Sequence, residues 1–125
     1  MSIARGVGVA RPEQIRILDV ERLPMPDDPQ LQQAAVVTGL LDPGMVGLTL
    51  GYAVLVCTGY GRDVRLLSHE FRHVYQYEQA GSISAFLPAY LQQIVTVGYH
   101  NAAFERDARA HERHAYPSIN TDAAR

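Results

Sequence analysis

Alternating and β-branched apolar positions predict three short strands before residue 59. The segment IRILDVERL, residues 15–23, alternates well enough to form a strand, with Ile15 and Ile17 on one side. The later segment MVGLTLGYAVLVCTGYG is rich in β-branched and aromatic residues and is interrupted by glycines. That composition favours two strands, at about 45–50 and 52–58, over one helix.

The apolar period then lengthens to three and four residues, which predicts an amphipathic helix over residues 62–80. One face of this helix carries Val64, Leu67, Phe71 and Val74. Gly81 follows as a C-terminal cap, because glycine readily adopts the left-handed conformation found there.

Three further helices are predicted from apolar spacing and capping residues, at 28–38, 84–98 and 102–115. Ser82 or Ser84 is expected to cap the helix at 84–98, and Asn101 the last helix. Proline lacks the backbone donor of a helix interior, so Pro88 is expected close to a helix start.

The pattern His-Glu-x-x-His lies inside the helix predicted at 62–80, as His69, Glu70 and His73. Four helical residues advance by about 400°, so the two histidines share a face and lie roughly 6 Å apart, close enough to bind one cation. Glu70 is one position round from His69, beside the metal, where a carboxylate can act as general base. The alternative to a metal site is that the two histidines lie one helical turn apart by coincidence.

A catalytic zinc site needs a third protein ligand if one position is to stay open for water. The elongated pattern with a glycine and a third histidine is excluded, because Gln76 and Gln79 occupy those places. Glu105 is the preferred third ligand, since it lies in the first turns of the last predicted helix, after an intervening helix that can fold the chain back towards the histidines. His100 is the second choice. The full set of downstream candidates is His100, Glu105, Asp107, His111, Glu112 and His114.

HEFRHVYQYEQAG, then FLPAYL, then FERDARA resembles small bacterial zinc peptidase-like domains of the gluzincin type, over about residues 45–112. The resemblance implies an α+β, minimal zincin-like domain. A small twisted sheet would pack beside the His-Glu-x-x-His helix, with two further helices, and an edge strand would receive an extended peptide. It also implies one Zn²⁺ per chain, bound by His69, His73 and Glu105, with Glu70 as catalytic base.

The sequence departs from this family at Arg109, where thermolysin-like members carry an acidic residue that orients a histidine. Asp107 and Asp63 are the expected replacements, because metal-bound imidazoles commonly donate to a carboxylate or carbonyl. Four residues are candidates for stabilising an oxyanion: Tyr99, His100, His111 and Tyr116.

Length and composition limit the partners. A chain of 125 residues fits one domain, spanning 1–125, with about 12 N-terminal residues and the tail from about 116 expected to be flexible. A net charge of −2 argues against nucleic acid as the main partner. The N-terminus has no apolar core of a secretory signal, so the cytoplasm is expected.

The charge-free stretch between Gln79 and Phe104 is long enough to cross a bilayer. Pro88, Gln92 and Gln93 interrupt its apolar run, which makes a membrane span unlikely and favours a buried helix or a subunit contact. A homo-oligomer or a larger complex is therefore an open expectation.

These features lead to one principal functional hypothesis, a zinc-dependent metallopeptidase that hydrolyses peptide bonds with a zinc-activated water and a glutamate general base. A peptide or protein would be the substrate or partner. The first alternative is a catalytically inactive zincin-like module that binds zinc or peptide for structural purposes. The second is a metal-free interaction domain.

Overall fold

The computed structural model describes residues 2–23, 29 and 45–114. The helix predicted at 28–38 lies outside the described residues except for Pro29, and so does the tail from 116. The described chain is α+β, with a three-stranded sheet and four α-helices. The predicted coarse fold class is therefore confirmed.

The three predicted strands form one sheet in the order β1-β3-β2. Strand β1 is Arg16–Val20, β2 is Gly47–Leu50 and β3 is Ala53–Cys57. The central strand β3 pairs parallel with β1 and antiparallel with β2. A two-residue loop joins β2 to β3, and Gly51 in it has a φ of 64°, which suits glycine in tight hairpins.

The longest helix carries the His-Glu-x-x-His pattern and packs against the sheet. After the short α1, Ser2–Gly6, this helix is α2, Val64–Ala80. Asp63 caps its start by accepting from the backbone amide of Leu66 at 3.0 Å, and Gly81 ends it with a φ of 96°. The predicted apolar face meets the central strand in one core cluster: Val54, Val56, Leu67, Phe71 and Val74.

Two helices follow and pack through aromatic rings. They are α3, Ile83–Val97, and α4, Ala103–Ala110. Ser82 caps α3 as predicted, accepting from the amide of Ala85 at 3.1 Å. The rings of Tyr77, Phe86, Tyr90 and Phe104 form a second buried group between the helices.

Two predictions about these helices were wrong. Pro88 lies inside α3, beyond its first turn; it has no amide hydrogen to donate to the carbonyl of Ser84, an exposed residue one turn earlier. Asn101 does not cap α4, because Ala102 occupies that position and the Asn101 side chain instead donates to the carbonyl of Val97 at the end of α3. The last helix is also shorter than predicted, ending at Ala110.

The N-terminal residues are part of the packed domain, contrary to the expectation that about 12 of them are flexible. Ala4, Val7 and Val9 are buried in the same core as the central strand. The carboxylate of Glu78 accepts the backbone amides of Ala10 and Arg11 at 2.8 and 3.0 Å. A short 3₁₀ turn, Pro12–Gln14, then leads into β1. No continuous apolar run marks this segment in the sequence; spaced apolar residues and the hydrogen bonds to Glu78 hold it, and neither is visible as a local pattern.

Within residues 2–23 and 45–114, no helix combines the length and apolar content that a membrane crossing requires. Helix α3 does expose Leu91, Val95 and Val97. The subunit contact expected there stays a prediction.

Candidate metal centre

Helices α2 and α4 bring together His69, His73 and Glu105, the three residues predicted as metal ligands. One potential ligand atom from each lies within 4.8 Å of the others. Nε2 of His69 is 3.0 Å from Oε1 of Glu105, and Nε2 of His73 is 2.9 Å from Oε2. The two imidazole rings lie one helical turn apart, with centroids separated by 5.0 Å.

The position of Glu105 follows from the packing of α4. Its neighbour Phe104 stacks on Phe86 at 4.8 Å between ring centroids, which fixes the first turn of α4 against α3. Glu105 then points towards α2 and is only 1% exposed. The hydroxyl of Tyr90, from α3, donates to Oε2 of Glu105 at 2.6 Å. All three helices therefore contribute to holding this carboxylate.

Gln76 fixes the ring of His73. The Gln76 amide nitrogen donates to the carbonyl of Phe104 and to Oδ2 of Asp107, both at 2.9 Å. Both partners are acceptors, so the amide oxygen must point the other way, where it lies 2.8 Å from Nδ1 of His73. Nδ1 of His73 is therefore the donor, and Nε2 faces Glu105.

Glu112 plays the corresponding part for His69. Its Oε2 lies 2.8 Å from Nδ1 of His69, while its Oε1 accepts from Nε of Arg65 at 2.9 Å. A carboxylate can only accept, so Nδ1 of His69 carries a hydrogen. Both histidines thus have the tautomer whose Nε2 lone pair, in the neutral ring, faces Glu105.

This arrangement requires a positive charge between the three side chains. Two neutral Nε2 atoms and a carboxylate are all acceptors, so either the rings are protonated or a cation lies among them. Burial lowers the pKa of His73, but the hydrogen bond and charge of Glu105 outweigh it and raise the pKa to about 9. Burial raises the pKa of Glu105, yet hydrogen bonds from His69 and His73 hold it well below its usual range.

The same atoms fit a divalent cation. Two imidazole nitrogens and one carboxylate oxygen are the protein ligands of catalytic zinc sites, with a fourth position left for water or substrate. In such sites the other ring nitrogen commonly donates to a protein acceptor, as Gln76 and Glu112 accept here. The donor set and its support therefore suit a divalent metal ion.

Glu70 lies beside this cluster and is 5% exposed. The hydroxyl of Thr49, on β2, lies 2.6 Å from Oε1 of Glu70 and 3.1 Å from its backbone carbonyl. A Cβ added to Gly47 would lie 3.0 Å from Oε2 of Glu70, so the strand approaches this carboxylate closely because residue 47 has no side chain. The predicted catalytic base is thus held between α2 and an edge strand.

A cavity of about 320 Å³ opens beside His69 and Glu70. Residues of the edge strand, the start of α2 and the segments around α4 line it, including Val46, Gly47, Arg65, Tyr99 and Glu112. Burial, together with the charge of Glu105 and a hydrogen bond to it, raises the pKa of Tyr99. Tyr99 is the predicted oxyanion candidate that lines the cavity.

The other predicted candidates lie elsewhere. His100 and His114 are exposed, Tyr116 is outside the described residues, and Nδ1 of His111 contacts the carbonyl of Asp107 at 2.8 Å. Asp63 serves as the N-cap of α2, not as a partner of a histidine. Asp107 does support His73, but only through Gln76, and Glu112 contacts the Nδ1 side of His69 instead of joining the ligand group.

The sequence analysis did not identify Gln76, Thr49 or Tyr90 as parts of the site. Gln76 carried a usable signal, because it lies three residues after His73 and therefore on the same helical face. Thr49 and Tyr90 are distant along the chain and meet Glu70 and Glu105 only through the packing of β2 and α3.

Searches of protein-family models, of curated proteins and of solved structures find no match to this chain. The gluzincin resemblance thus depends on the order of the motifs. The case for function depends on the geometry of the site.

Proposed function

We propose that the chain binds one zinc ion through His69, His73 and Glu105 and hydrolyses peptide bonds. The observation that carries the proposal is the convergence of three acceptor atoms within 4.8 Å, with the opposite nitrogen of each imidazole already hydrogen-bonded. A buried carboxylate, Glu70, stands beside them on the wall of a cavity. Its position one residue after His69 is the one expected of a general base.

A bound zinc ion supplies Lewis acidity and lowers the pKa of water towards neutrality. The residues of the chain supply the remaining functions. Water adds to the peptide carbonyl carbon as Glu70 takes a proton from it, and Glu70 passes that proton to the amine nitrogen as the C–N bond breaks; Thr49 keeps the carboxylate oriented. Tyr99 contributes a protonated hydroxyl that can stabilise negative charge developing on the substrate carbonyl.

The edge strand supports a peptide as substrate. Among the described strands, β2 pairs only with β3; the carbonyl of Thr49 on its other side accepts from the hydroxyl of Tyr77 at 3.2 Å, so the Gly47 end of β2 is where a peptide would pair. Gly47 on this strand borders both the cavity and Glu70. An extended peptide that pairs with such an edge would run past the catalytic carboxylate, which agrees with what the gluzincin resemblance implies.

Glu70→Gln tests the chemistry while keeping the shape of the side chain. We expect the variant to bind zinc as wild type does and to lose peptide hydrolysis by about 10²- to 10⁴-fold, the usual contribution of a general base. Glu13→Gln is the matched control, because it makes the same change at an exposed carboxylate in the 3₁₀ turn. Hydrolysis of a peptide library at the wild-type rate by Glu70→Gln would exclude this role.

A zinc-binding module without catalysis is the second candidate. It is favoured by the burial of Glu70 and by its hydrogen bond to Thr49, both of which suit a structural carboxylate. This candidate predicts that wild-type protein binds zinc and gains stability from it but cleaves no peptide in the library. Glu70→Gln would then bind zinc as wild type does and differ from it only in the stability of the fold.

A further inference from the structure

A continuous set of hydrogen bonds connects the N-terminal segment to His73. Nη1 of Arg72 donates to the carbonyl of Val7 at 2.7 Å, and Nε of the same side chain donates to Oδ2 of Asp107 at 2.8 Å. Asp107 accepts in turn from the amide nitrogen of Gln76, whose oxygen faces Nδ1 of His73. Arg72, Gln76 and His73 all lie on α2. Only Val7 and Asp107 in this set belong to other segments.

Two groups in this set have one possible role each. The guanidinium of Arg72 can only donate and the carboxylate of Asp107 can only accept, so Asp107 fixes the nitrogen side of the Gln76 amide. If Asp107 were displaced, the amide would lose one of the two acceptors that orient it. The position in which Arg72 holds Asp107 therefore contributes, together with the carbonyl of Phe104, to the tautomer of His73.

The N-terminal segment also restricts Arg72 by direct packing. Gly8 has a φ of 102°, and a Cβ added there would lie 2.9 Å from Cδ1 of Tyr75 and 3.0 Å from Nη1 of Arg72. The guanidinium carbon of Arg72 lies 3.9 Å from the centroid of the Tyr75 ring. The backbone at Gly8 therefore closes over an arginine that is already stacked on tyrosine.

We propose that residues 2–9 are a positioning element of the metal centre, which act on His73 through Arg72, Asp107 and Gln76. The inference depends on the proposed zinc site and adds a segment remote from it in sequence. Coupling between two sites is reciprocal, so docking of this segment and zinc binding favour each other. Arg72, Asp107 and Gln76 are positioning residues, since none of them provides an atom to the ligand group.

Gly8→Ala tests the N-terminal end of the connection, and Gly59→Ala is its matched control. Gly59 has a φ of 96° and no atom within 4 Å of an added Cβ, so both variants strain the backbone but only Gly8→Ala displaces Arg72. Loss of support around a metal ligand typically weakens metal affinity 10- to 100-fold. We expect a weakening of about 10-fold for Gly8→Ala and unchanged affinity for Gly59→Ala, by competition with a chromophoric chelator.

Gln76→Met and Gln79→Met test the other end on the same helix. Gln76 is buried against His73, whereas Gln79 is exposed. We expect zinc affinity to fall by about 10- to 100-fold in Gln76→Met and to stay unchanged in Gln79→Met. Equal affinities for these two variants would overturn the inference.

A reversal of hydrogen-bond roles separates positioning from general packing. Gln76→Glu alone places the new carboxylate against both Asp107 and the carbonyl of Phe104 and should weaken zinc binding, while adding Asp107→Asn supplies an amide that relieves the first of these two contacts. We expect the double variant to recover part of the lost affinity and to shift the visible absorption of the cobalt-substituted protein towards that of wild type. No recovery would overturn the role of the Gln76–Asp107 contact.

The zinc stoichiometry of wild-type protein separates the two proposals. Absence of zinc from the wild type would overturn the proposed function and this inference together. One zinc per chain in the wild type, with Gly8→Ala and Gln76→Met binding zinc as tightly as the wild type does, would overturn the inference alone.

Discussion

His69 and His73 come from one short motif and point at the same carboxylate, yet their surroundings differ. The side chain of His73 is 8% exposed and is hydrogen-bonded to Gln76, whose amide nitrogen donates to the backbone carbonyl of Phe104. The side chain of His69 is 13% exposed and contacts Glu112. Glu112 in turn forms an ion pair with Arg65, whose side chain is 67% exposed at the protein surface. One histidine is supported from within the domain and the other from its rim.

This difference shows that a motif specifies ligands but not their support. The interior support of His73 is protected from solvent and should respond to changes in packing. The rim support of His69 includes a surface ion pair, which water and salt weaken. The two sides can be told apart by separate measurements of fold stability, zinc affinity and salt dependence.

The largest expected difference is in the stability of metal-free protein. His73→Ala leaves Gln76 without its imidazole partner and Glu105 with His69 as its remaining one, and breaking a buried charged pair typically costs about 3–5 kcal/mol. His69→Ala opens a site next to the cavity, where water can replace the ring, so we expect a cost smaller by about 1–2 kcal/mol. Urea unfolding in the presence of a chelator measures both. Equal costs would mean that the two environments do not differ energetically.

A smaller difference is expected when only the supports are removed. Glu112→Gln keeps an acceptor beside Nδ1 of His69 but loses the charge, so zinc affinity should fall by about 10-fold, the lower end for such residues. Gln76→Met removes the acceptor altogether, so its zinc affinity should fall by about 100-fold, the upper end of that range. Chelator competition gives the ratio, and a larger loss for Glu112→Gln would reverse the comparison.

The smallest effect is expected at the surface. Arg65→Gln removes the ion pair with Glu112, and we expect zinc affinity to change by less than about 3-fold, because exposed ion pairs contribute little. Arg62→Gln is the control, an exposed arginine just before α2. Any effect of Arg65→Gln should vanish at about 0.5 M salt, where charges are screened within a few ångströms. A large loss of zinc affinity in Arg65→Gln that persists in salt would show that Arg65 is needed to position His69 for zinc binding.

The elements of the fold were predictable where the signal is local. The strands and the helix carrying His69 and His73 followed from apolar spacing, and Ser82, Gly81 and Gly98 marked the helix ends as the structure has them. The capping role of Asn101 was mispredicted because its side chain has a second acceptor nearby, the carbonyl of Val97. Local preference alone does not decide between the two.

The three residues that meet in the candidate site were predictable from the sequence, and the residues that support them were less so. Spacing placed His69 and His73 on one face, and the position of Glu105 early in a later helix was enough to select it. Glu112 was considered, but as a ligand, because the sequence does not reveal which side of an imidazole a carboxylate approaches. The contribution of Val7 through Arg72 depends on tertiary contacts across 65 residues, which no local pattern encodes.

Elemental analysis of purified protein after zinc addition and dialysis shows whether His69, His73 and Glu105 hold one zinc ion. We expect one zinc per chain in wild type and in His100→Ala, which changes an exposed histidine close to α4, and none in His73→Ala. Glu105→Ala should retain zinc only weakly. Wild-type protein without zinc, or His73→Ala with a full equivalent, would rule out this site.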